Sequence, residues 1–190
     1  AATRLPGKPL LKINELSIIS HVFKRAESAN IGDVIVATED QEIIDDVKNN
    51  GGKAVLTSKN NKTGTDRIYE AYKMLEIKDI DLIMNIQGDE PNIDINDIKA
   101  LNYKMRENNS KIGTLGAKIS DNKMYDNENV VKVKTQQSLN KNNFPLAKSF
   151  MRKTNEREDV FHHVGIYCYQ VEILKRFISL NQSKNEMKKK

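Results

Sequence analysis

The stretch LIMNIQGDEPNI, Leu82 to Ile93, decides the fold, because an apolar run stops abruptly there at polar residues. The segment 82–86 predicts a buried β-strand, since it is short, apolar and followed by turn residues. A glutamine and a glycine come next, and two carboxylates, Asp89 and Glu90, follow them. In open α/β sheets, ligands bind beyond the carboxyl ends of parallel strands. The stretch therefore predicts an α/β fold with a binding site at this strand end.

The two carboxylates should have different roles. Successive side chains of an extended backbone point in opposite directions, so Asp89 and Glu90 do not both face one cleft. Mg²⁺ binds through one or two carboxylates together with substrate phosphates and water. We assign the metal to Asp89, since Gly88 before it allows a polyphosphate to approach, and we expect Glu90 to support the loop or cap the next helix. The alternative is a solvated turn whose charges serve solubility.

Outward from this strand, the first half of the chain alternates between helix and strand patterns. Apolar residues at helical spacing predict helices, and short β-branched runs predict strands. The predicted helices are 17–29, 40–49, 65–75 and 94–108, and the predicted strands are 33–38, 54–57 and 81–86. This alternation is typical of βαβ units, and it predicts a Rossmann-like, mostly parallel sheet with helices on both faces.

The second half has a different pattern. Strands are predicted at 112–119, 130–135 and 161–170, with polar, Asn-rich links, before a last helix at 171–180. We therefore expect a single domain over 1–190 with an α/β core at 1–110, and at 111–170 either a mixed sheet or a strand-rich flap that lies on this core.

Composition excludes several classes of protein. The net charge of +5 comes from scattered Lys and Arg rather than from a basic stripe with interleaved aromatic residues, which argues against a nucleic-acid partner. An anionic substrate explains the positive balance equally well. Cys168 is the only cysteine and lies in an apolar run, so we interpret it as a buried small side chain. The sequence shows no secretory or membrane-spanning run, so we expect a soluble, cytoplasmic protein without a membrane partner.

The segment ATRLPGKPL is a candidate phosphate-binding loop. Arg4 and Lys8 flank Gly7, so two cations could reach a polyphosphate where the glycine permits close approach. The spacing differs from the Walker pattern, and a plain solvated turn explains the same residues.

The segment KTGTDRI, at 62–68, precedes a predicted helix. Thr65 or Asp66 could cap that helix, and a helix N-terminus offers free N–H groups to a phosphate. Capping alone does not require Arg67, which could instead be a surface ion-pair partner. His162 and His163 are adjacent on a predicted strand and face opposite ways, so they make a poor metal pair.

Taken together, these motifs resemble the 3-deoxy-manno-octulosonate cytidylyltransferase family over almost the whole chain. The combination of the first and fourth motifs is the specific part of this resemblance. The matching motifs are TRLPGKPL (3–10), VIVATED (34–40), TGTDRI (63–68), NIQGDEPNI (85–93), NENVVKV (127–133) and HVGIY (163–167).

The resemblance implies a nucleotide-diphospho-sugar transferase fold and a reaction in which CTP and the acidic sugar Kdo give CMP-Kdo and pyrophosphate for lipopolysaccharide synthesis. It implies that 1–110 binds nucleotide, that 111–170 binds sugar and forms a homodimer, and that Mg²⁺ is the cofactor. By position, it assigns Arg4, Lys8 and Asp89 to catalysis, Asp89 to the metal, Arg4, Gly7, Lys8, Thr65, Arg67 and Gly88 to the nucleotide, and Gln87, His163 and Tyr167 to the sugar.

The chain also departs from the family pattern. A strand ending in arginine should precede the first loop, and a second metal-binding aspartate should follow residue 190, so we expect a stretch truncated at both ends with weak or no activity of its own. Lys148 or Arg152 could replace a family arginine between 142 and 153. Another acidic sugar, such as a sialic acid, is the alternative substrate, and a non-catalytic nucleotide-binding module is the alternative class.

Overall fold

The computed structural model describes residues 7–181. A 3-10 helix at Lys8–Leu10 comes first. The α-helices are α1 (Ile18–Ser28), α2 (Gln41–Asn49), α3 (Gly64–Met74), α4 (Ile95–Glu107), α5 (Lys123–Asp126) and α6 (Val171–Ile178). The strands are β1 (Lys12–Ile13), β2 (Leu16–Ser17), β3 (Val36–Thr38), β4 (Ala54–Leu56), β5 (Leu82–Asn85), β6 (Ile112–Ala117), β7 (Lys132–Thr135), β8 (Ala147–Met151) and β9 (Val160–Gln170).

Strand β9 organises the larger, five-stranded sheet. It pairs with β6 along one edge and with β5 and β7 along the other, while β8 pairs with β7. All of these pairings are antiparallel. Because β5 and β6 both run opposite to β9, they are parallel to each other, and α4 connects them as in a βαβ unit. The predicted unit is therefore present, with a long third strand inserted between its two strands.

The α/β fold class is confirmed, but the prediction of a mostly parallel sheet is wrong for the paired strands. Within residues 7–181 the only parallel pair is β3 with β4. The physical reason is the insertion of β9, whose 11 residues have enough length to pair with β5 and β7 in succession on one edge. Sequence periodicity indicates which residues form a strand, but it does not indicate which strand lies beside it.

A cleft separates the two sheets. Strands β3 and β4 lie on one side of it and β5 on the other, and no described strand pairs with the free edges of β3 and β5. Helix α3 packs against both β3 and β5, and α1 packs against both α2 and α4. The two sheets are thus joined through helices rather than through a shared ladder.

Helix α4 supplies much of the main core. Its residues Ile98, Leu101 and Met105 are 1% exposed and pack with Ile166 and Cys168 of β9. Burying an aliphatic side chain of this size stabilises the fold by about 1.5–3 kcal/mol. Burial also raises the pKa of the Cys168 thiol to about 11, which agrees with the interpretation of this residue as a buried small side chain.

Polar side chains fix the helix starts. Ser17 caps α1, and the Ser17 and Ser20 hydroxyls both donate to the Asp46 carboxylate, which ties α1 to α2. Helix α3 begins with a capping box formed by Thr63 and Asp66. The predicted cap at Thr65 is therefore wrong, because the helix begins one residue earlier, at Gly64.

Asp94 caps α4, accepting a hydrogen bond from the Asn96 amide at 2.8 Å. The capping role expected for Glu90 is therefore wrong, because the chain makes a turn between Glu90 and the helix. Glu90 itself is exposed, and its carbonyl accepts from the Ile93 amide at 3.2 Å.

The NENVVKV segment surrounds a buried lysine. Lys132 is 0% exposed, and its ammonium donates to the carbonyls of Asn127 (2.8 Å), Val130 (2.9 Å) and Arg152. Burial lowers the pKa of Lys132. An ammonium has three donors, and each of them is used by one of these carbonyls. Lys132 thereby ties the segment that holds Asn127 and Val130 to the end of β8.

The domain division at 1–110 and 111–170 stays a prediction, although the larger sheet takes β5 from the first part and β9 from the second. No helix among residues 7–181 is long and apolar enough to cross a membrane.

Candidate active site

The cleft between β3 and β5 has a volume of about 1060 Å³. A cavity of this size could hold a ligand as large as a nucleotide, since small-molecule sites span about 300–1,000 Å³. Its inner wall is apolar and comes from α1, β3, α3 and β5, including Phe23, Val36, Ala71 and Met84. Its polar lining comes from the loops at the carboxyl ends of β3 and β5, from α3 and from the residues at 7–8. We call Lys8, Glu39, Arg67 and Asp89 the polar rim.

Lys8 and Asp89 form an ion pair in this rim. The Lys8 ammonium donates to the Asp89 carboxylate at 2.8 Å, and the side chains are 34% and 42% exposed. Gly7 allows the chain to turn into the 3-10 helix, because its φ of 72° lies in the left-handed region. The structure thus joins two predicted residues that lie 81 positions apart in sequence. Arg4 lies outside the described residues.

Gly88 lines the cleft, but its lack of a side chain has a packing reason. A Cβ built on Gly88 would lie 2.7 Å from Cδ1 of Ile19 on α1. The space beside this glycine is therefore filled by α1, so the original reason for a glycine here, access for a polyphosphate, does not explain it. Its nucleotide-binding role stays a prediction.

Arg67 lies on the first turn of α3 and bridges two strand ends. Its guanidinium donates to the Glu39 carboxylate after β3 and to the hydroxyl of Thr57, which follows β4, at 2.7 Å. Thr57 is 5% exposed, so the contact lies in the cleft wall. The hydrogen bond from Arg67 lowers the pKa of Glu39. Arg67 thus forms an ion pair, as the alternative interpretation expected, but at 17% exposure this pair is not on the open surface. The nucleotide-binding role of Arg67 stays a prediction.

The N-terminus of α3 is partly occupied by its own cap. The Thr63 hydroxyl accepts from the Asp66 amide at 3.1 Å, and the Asp66 carboxylate accepts from the Thr63 amide at 2.8 Å. A carboxylate at this end also offsets the positive end of the helix dipole. Thr65 lines the cleft, and burial raises the pKa of Tyr169. Thr65 and Arg67 both line the cleft, and their nucleotide-binding roles stay predictions.

The three predicted sugar residues lie near one another on or beside β9. Tyr167 lines the cleft, and the His163 ring lies 5.4 Å from the Tyr167 ring. The His163 Nε2 is 3.0 Å from the Thr114 hydroxyl, and that hydroxyl is within hydrogen-bond distance of the carbonyls of Ile166 (2.6 Å) and Val164 (3.2 Å). Burial lowers the pKa of His163 and raises that of Tyr167. Gln87 approaches the same strand at Gly165.

The carboxylate in the cleft suits a metal ion that also binds oxygen atoms of the substrate. Among residues 7–181 no cluster of three or more His, Cys, Asp or Glu side chains could hold a metal ion by itself. Asp89 is a half-exposed carboxylate beside a cation, and Mg²⁺ commonly takes one carboxylate, phosphate oxygens and water. The residues present therefore fit Mg²⁺ only together with a phosphate ligand.

Several residues of the site were missed from the sequence. Glu39 and Thr57 face Arg67, and Thr114 fixes the His163 ring. Glu39 had a usable signal, because it follows the strand 33–38 directly. Gly165 had one as well, since a glycine inside a strand pattern marks a bulge or a close approach. The sequence contained no signal for Thr114, because only the pairing of β6 with β9 brings its side chain beside His163.

Comparisons with known proteins agree with this arrangement. The sequence profile of the cytidylyltransferase family matches residues 1–190. The 3-deoxy-manno-octulosonate cytidylyltransferase of Thermodesulfovibrio yellowstonii is 38% identical over 197 residues, covering 97% of this chain and 77% of the relative. The protein of that name from Rhodopseudomonas palustris (strain BisB5) is 40% identical over 193 residues, covering 100% of this chain and 78% of the relative.

Among solved structures, a CMP:2-keto-3-deoxy-manno-octonic acid synthetase complexed with CTP superposes with a TM-score of 0.85. It is 33% identical, and the match covers 99% of this chain and 77% of that one. The fold, the cleft and these matches together show that the chain belongs to the cytidylyltransferase family, as a member of its 3-deoxy-manno-octulosonate cytidylyltransferase group.

Proposed function

We propose that this chain transfers CMP from CTP to Kdo, giving CMP-Kdo and pyrophosphate for lipopolysaccharide synthesis in the cytoplasm. The observation that carries the proposal is the Lys8–Asp89 pair, which joins two motifs shared with the family at one edge of the cleft. The names of the relatives support CTP and Kdo as substrates.

The reaction needs positioning and charge neutralisation more than covalent help. The anomeric hydroxyl of Kdo attacks the α-phosphorus, its proton is lost, and the bond from that phosphorus to the bridging oxygen breaks to release pyrophosphate. Lys8 turns from Asp89 to the phosphates and offsets their charge, which frees Asp89 as a metal ligand. Bound Mg²⁺ would polarise the α-phosphate and help the leaving group depart.

The remaining residues would bind and orient the substrates. Thr65 presents its side chain to the nucleotide, while Arg67 holds the cleft wall in place. Gln87, Tyr167 and His163 would contact the sugar from β5 and β9. Arg4 and Gly7 keep their predicted place in the phosphate-binding loop.

We also propose that the active form is a homodimer. The edge strand β8 and the residue before it expose Phe150 (51%) and Leu146 (73%), which gives an apolar surface for a second copy. Sedimentation of the purified chain would test this, with a monomer at micromolar concentration as the contrary result.

The test of the activity measures pyrophosphate release from CTP with Mg²⁺ and Kdo, with N-acetylneuraminate, or with no sugar. Calorimetric CTP titration runs beside it, and mass spectrometry identifies the product. We expect pyrophosphate release in the mixture with Kdo and not in the other two. Release only in the mixture with N-acetylneuraminate would show that the substrate is a sialic acid and not Kdo. CTP binding without release in any mixture would instead favour a non-catalytic nucleotide-binding module, which a cleft of this size could also support.

A further inference from the structure

Gln87 and Gly165 approach each other more closely than any side chain at 165 would allow. A Cβ built on Gly165 would lie 2.6 Å from Nε2, 3.2 Å from Cδ and 3.7 Å from Oε1 of Gln87. The whole side-chain amide of Gln87 therefore lies over the glycine. The first of these separations is shorter than a Cβ contact can be.

The need for glycine is spatial. The φ of Gly165 lies outside the left-handed region, so an L-residue could adopt the same backbone. The β6–β9 pairing shifts register here: Thr114 pairs with Tyr167 and Leu115 pairs with Val164. Gly165 and Ile166 thus lie in a bulge, and bulges often redirect side chains next to active sites.

The Gln87 amide is free to bind a ligand. Gln87 is exposed, and its side chain makes no hydrogen bond within residues 7–181. Its amide offers two donors and an acceptor. Gln87 and Tyr167 both line the cleft, and the Tyr167 ring contacts that of His163. Because Asn85 pairs with Tyr167 in the antiparallel β5–β9 ladder, Gln87 comes opposite Gly165, and the missing side chain there leaves space for the amide.

We propose that Gly165 is a positioning residue: by lacking a side chain, it lets the Gln87 amide lie beside Tyr167, where the amide hydrogen-bonds an oxygen of the acidic sugar. This inference rests on the proposed function for the identity of the ligand. The position of the amide itself does not depend on that function.

The kinetic test is a double-mutant cycle of Gly165→Ala and Gln87→Ala. Gly165→Ala should raise the KM for Kdo about tenfold, the loss of about one hydrogen bond, with the KM for CTP and kcat within about threefold. Added to Gln87→Ala, it should change the KM for Kdo by less than about twofold, because no amide remains to be displaced. Ser28→Ala, at an exposed position on α1 outside the cleft lining, is the control and should leave all three constants unchanged.

Two results would overturn the proposal. An equal loss in the parent and in the Gln87→Ala background would show that Gly165 acts through the backbone, and an unchanged KM for Kdo would show that the amide does not bind the sugar. The melting temperature should stay within about 3 °C, because the displaced group is the flexible end of a side chain.

A second readout separates this proposal from the proposed function. In the ¹⁵N-labelled chain, the Gln87 side-chain NH₂ signals, assigned by their absence in Gln87→Ala, should move in Gly165→Ala and not in Ser28→Ala. If they move while no sugar supports turnover, the positioning holds and the assigned ligand is wrong. If they do not move, the positioning itself is wrong whatever the activity.

Discussion

Two ion pairs line the same cleft and differ in how firmly the protein holds them. The Lys8 and Asp89 side chains are 34% and 42% exposed and share one contact of 2.8 Å. The Arg67 and Glu39 side chains are 17% and 26% exposed, and Arg67 also donates to the buried Thr57.

The difference teaches which charges a ligand can recruit. An exposed pair contributes only about 0–1 kcal/mol, so a triphosphate can replace one partner at little cost. A guanidinium that is held by several acceptors would leave those acceptors unpaired if it moved. We therefore interpret Lys8–Asp89 as an exchangeable pair and Arg67–Glu39 as part of the cleft wall.

The largest effect should follow from Asp89→Asn. Loss of the carboxylate removes the predicted metal ligand, and we expect Mg²⁺-dependent turnover to fall about 100- to 1,000-fold, as for other losses of transition-state electrostatics. The melting temperature should change little, because the pair is exposed. Steady-state kinetics over a range of Mg²⁺ concentrations measures this, with the neighbouring exposed Glu90→Gln as control. Turnover within about threefold of the parent would remove Asp89 from the metal site.

Lys8→Met should have the next largest effect. A charge-assisted hydrogen bond to a phosphate contributes about 1.5–3 kcal/mol, which corresponds to a loss of about 10- to 100-fold in kcat/KM for CTP. The unfolding free energy should stay within about 1 kcal/mol of the parent value. Lys12→Met, at an exposed position on β1, is the matched control. A large loss of stability with normal CTP kinetics would reverse our interpretation of the pair as exchangeable.

Arg67→Lys should show the opposite balance. An ammonium cannot reproduce the fork that bridges Glu39 and Thr57, so we expect a loss of about 1–2 kcal/mol in unfolding free energy. The KM for CTP should rise less than about threefold. Urea denaturation measures the stability, with the exposed Arg25→Lys as control. A rise in KM as large as that of Lys8→Met would mean that both pairs serve the nucleotide.

The smallest effect is a pH dependence carried by Glu39. The hydrogen bond from Arg67 lowers the pKa of Glu39 below its ordinary value of 4.5. The stability that this pair contributes is therefore present above pH 4.5 and is lost as the pH falls through the lower, folded-state pKa. The parent should lose more stability than Glu39→Gln between pH 5 and 3, as measured by urea denaturation. Glu27→Gln, at an exposed position on α1, should follow the parent, and parallel curves for parent and Glu39→Gln would contradict the assignment.

Local patterns predicted most elements of the chain. The helices from α1 to α4 begin and end within about two residues of their predicted bounds, because amphipathic spacing and polar caps are local signals. The hairpin of β1 and β2 was missed, since its strands have two residues each. Strand β8 was missed because four of its five residues are exposed, so it has no apolar face to reveal it.

The sequence predicted some residues of the candidate site, but the structural reason for their position is not always the predicted one. Asp89 was expected beyond a strand end, and it does follow β5, but the neighbour of that strand is the antiparallel β9. Lys132 lies in a matching motif and could have been taken for a ligand-binding cation, yet its ammonium is saturated by backbone carbonyls. Only the tertiary structure distinguishes Lys132 from Lys8. The sequence around a lysine does not show whether its ammonium is already hydrogen-bonded by the protein or is available to a ligand.

The break between β3 and β5 has a consequence for motion. Because no strand ladder joins the two sheets in the described part of the chain, we expect the β3–β4 segment to open as its own cooperative unit, with a lower free energy than the β9 sheet. Its amides should exchange with deuterated solvent sooner than those of β9. A nucleotide that contacts both sides of the cleft would tie the two units together and slow that exchange without altering either sheet.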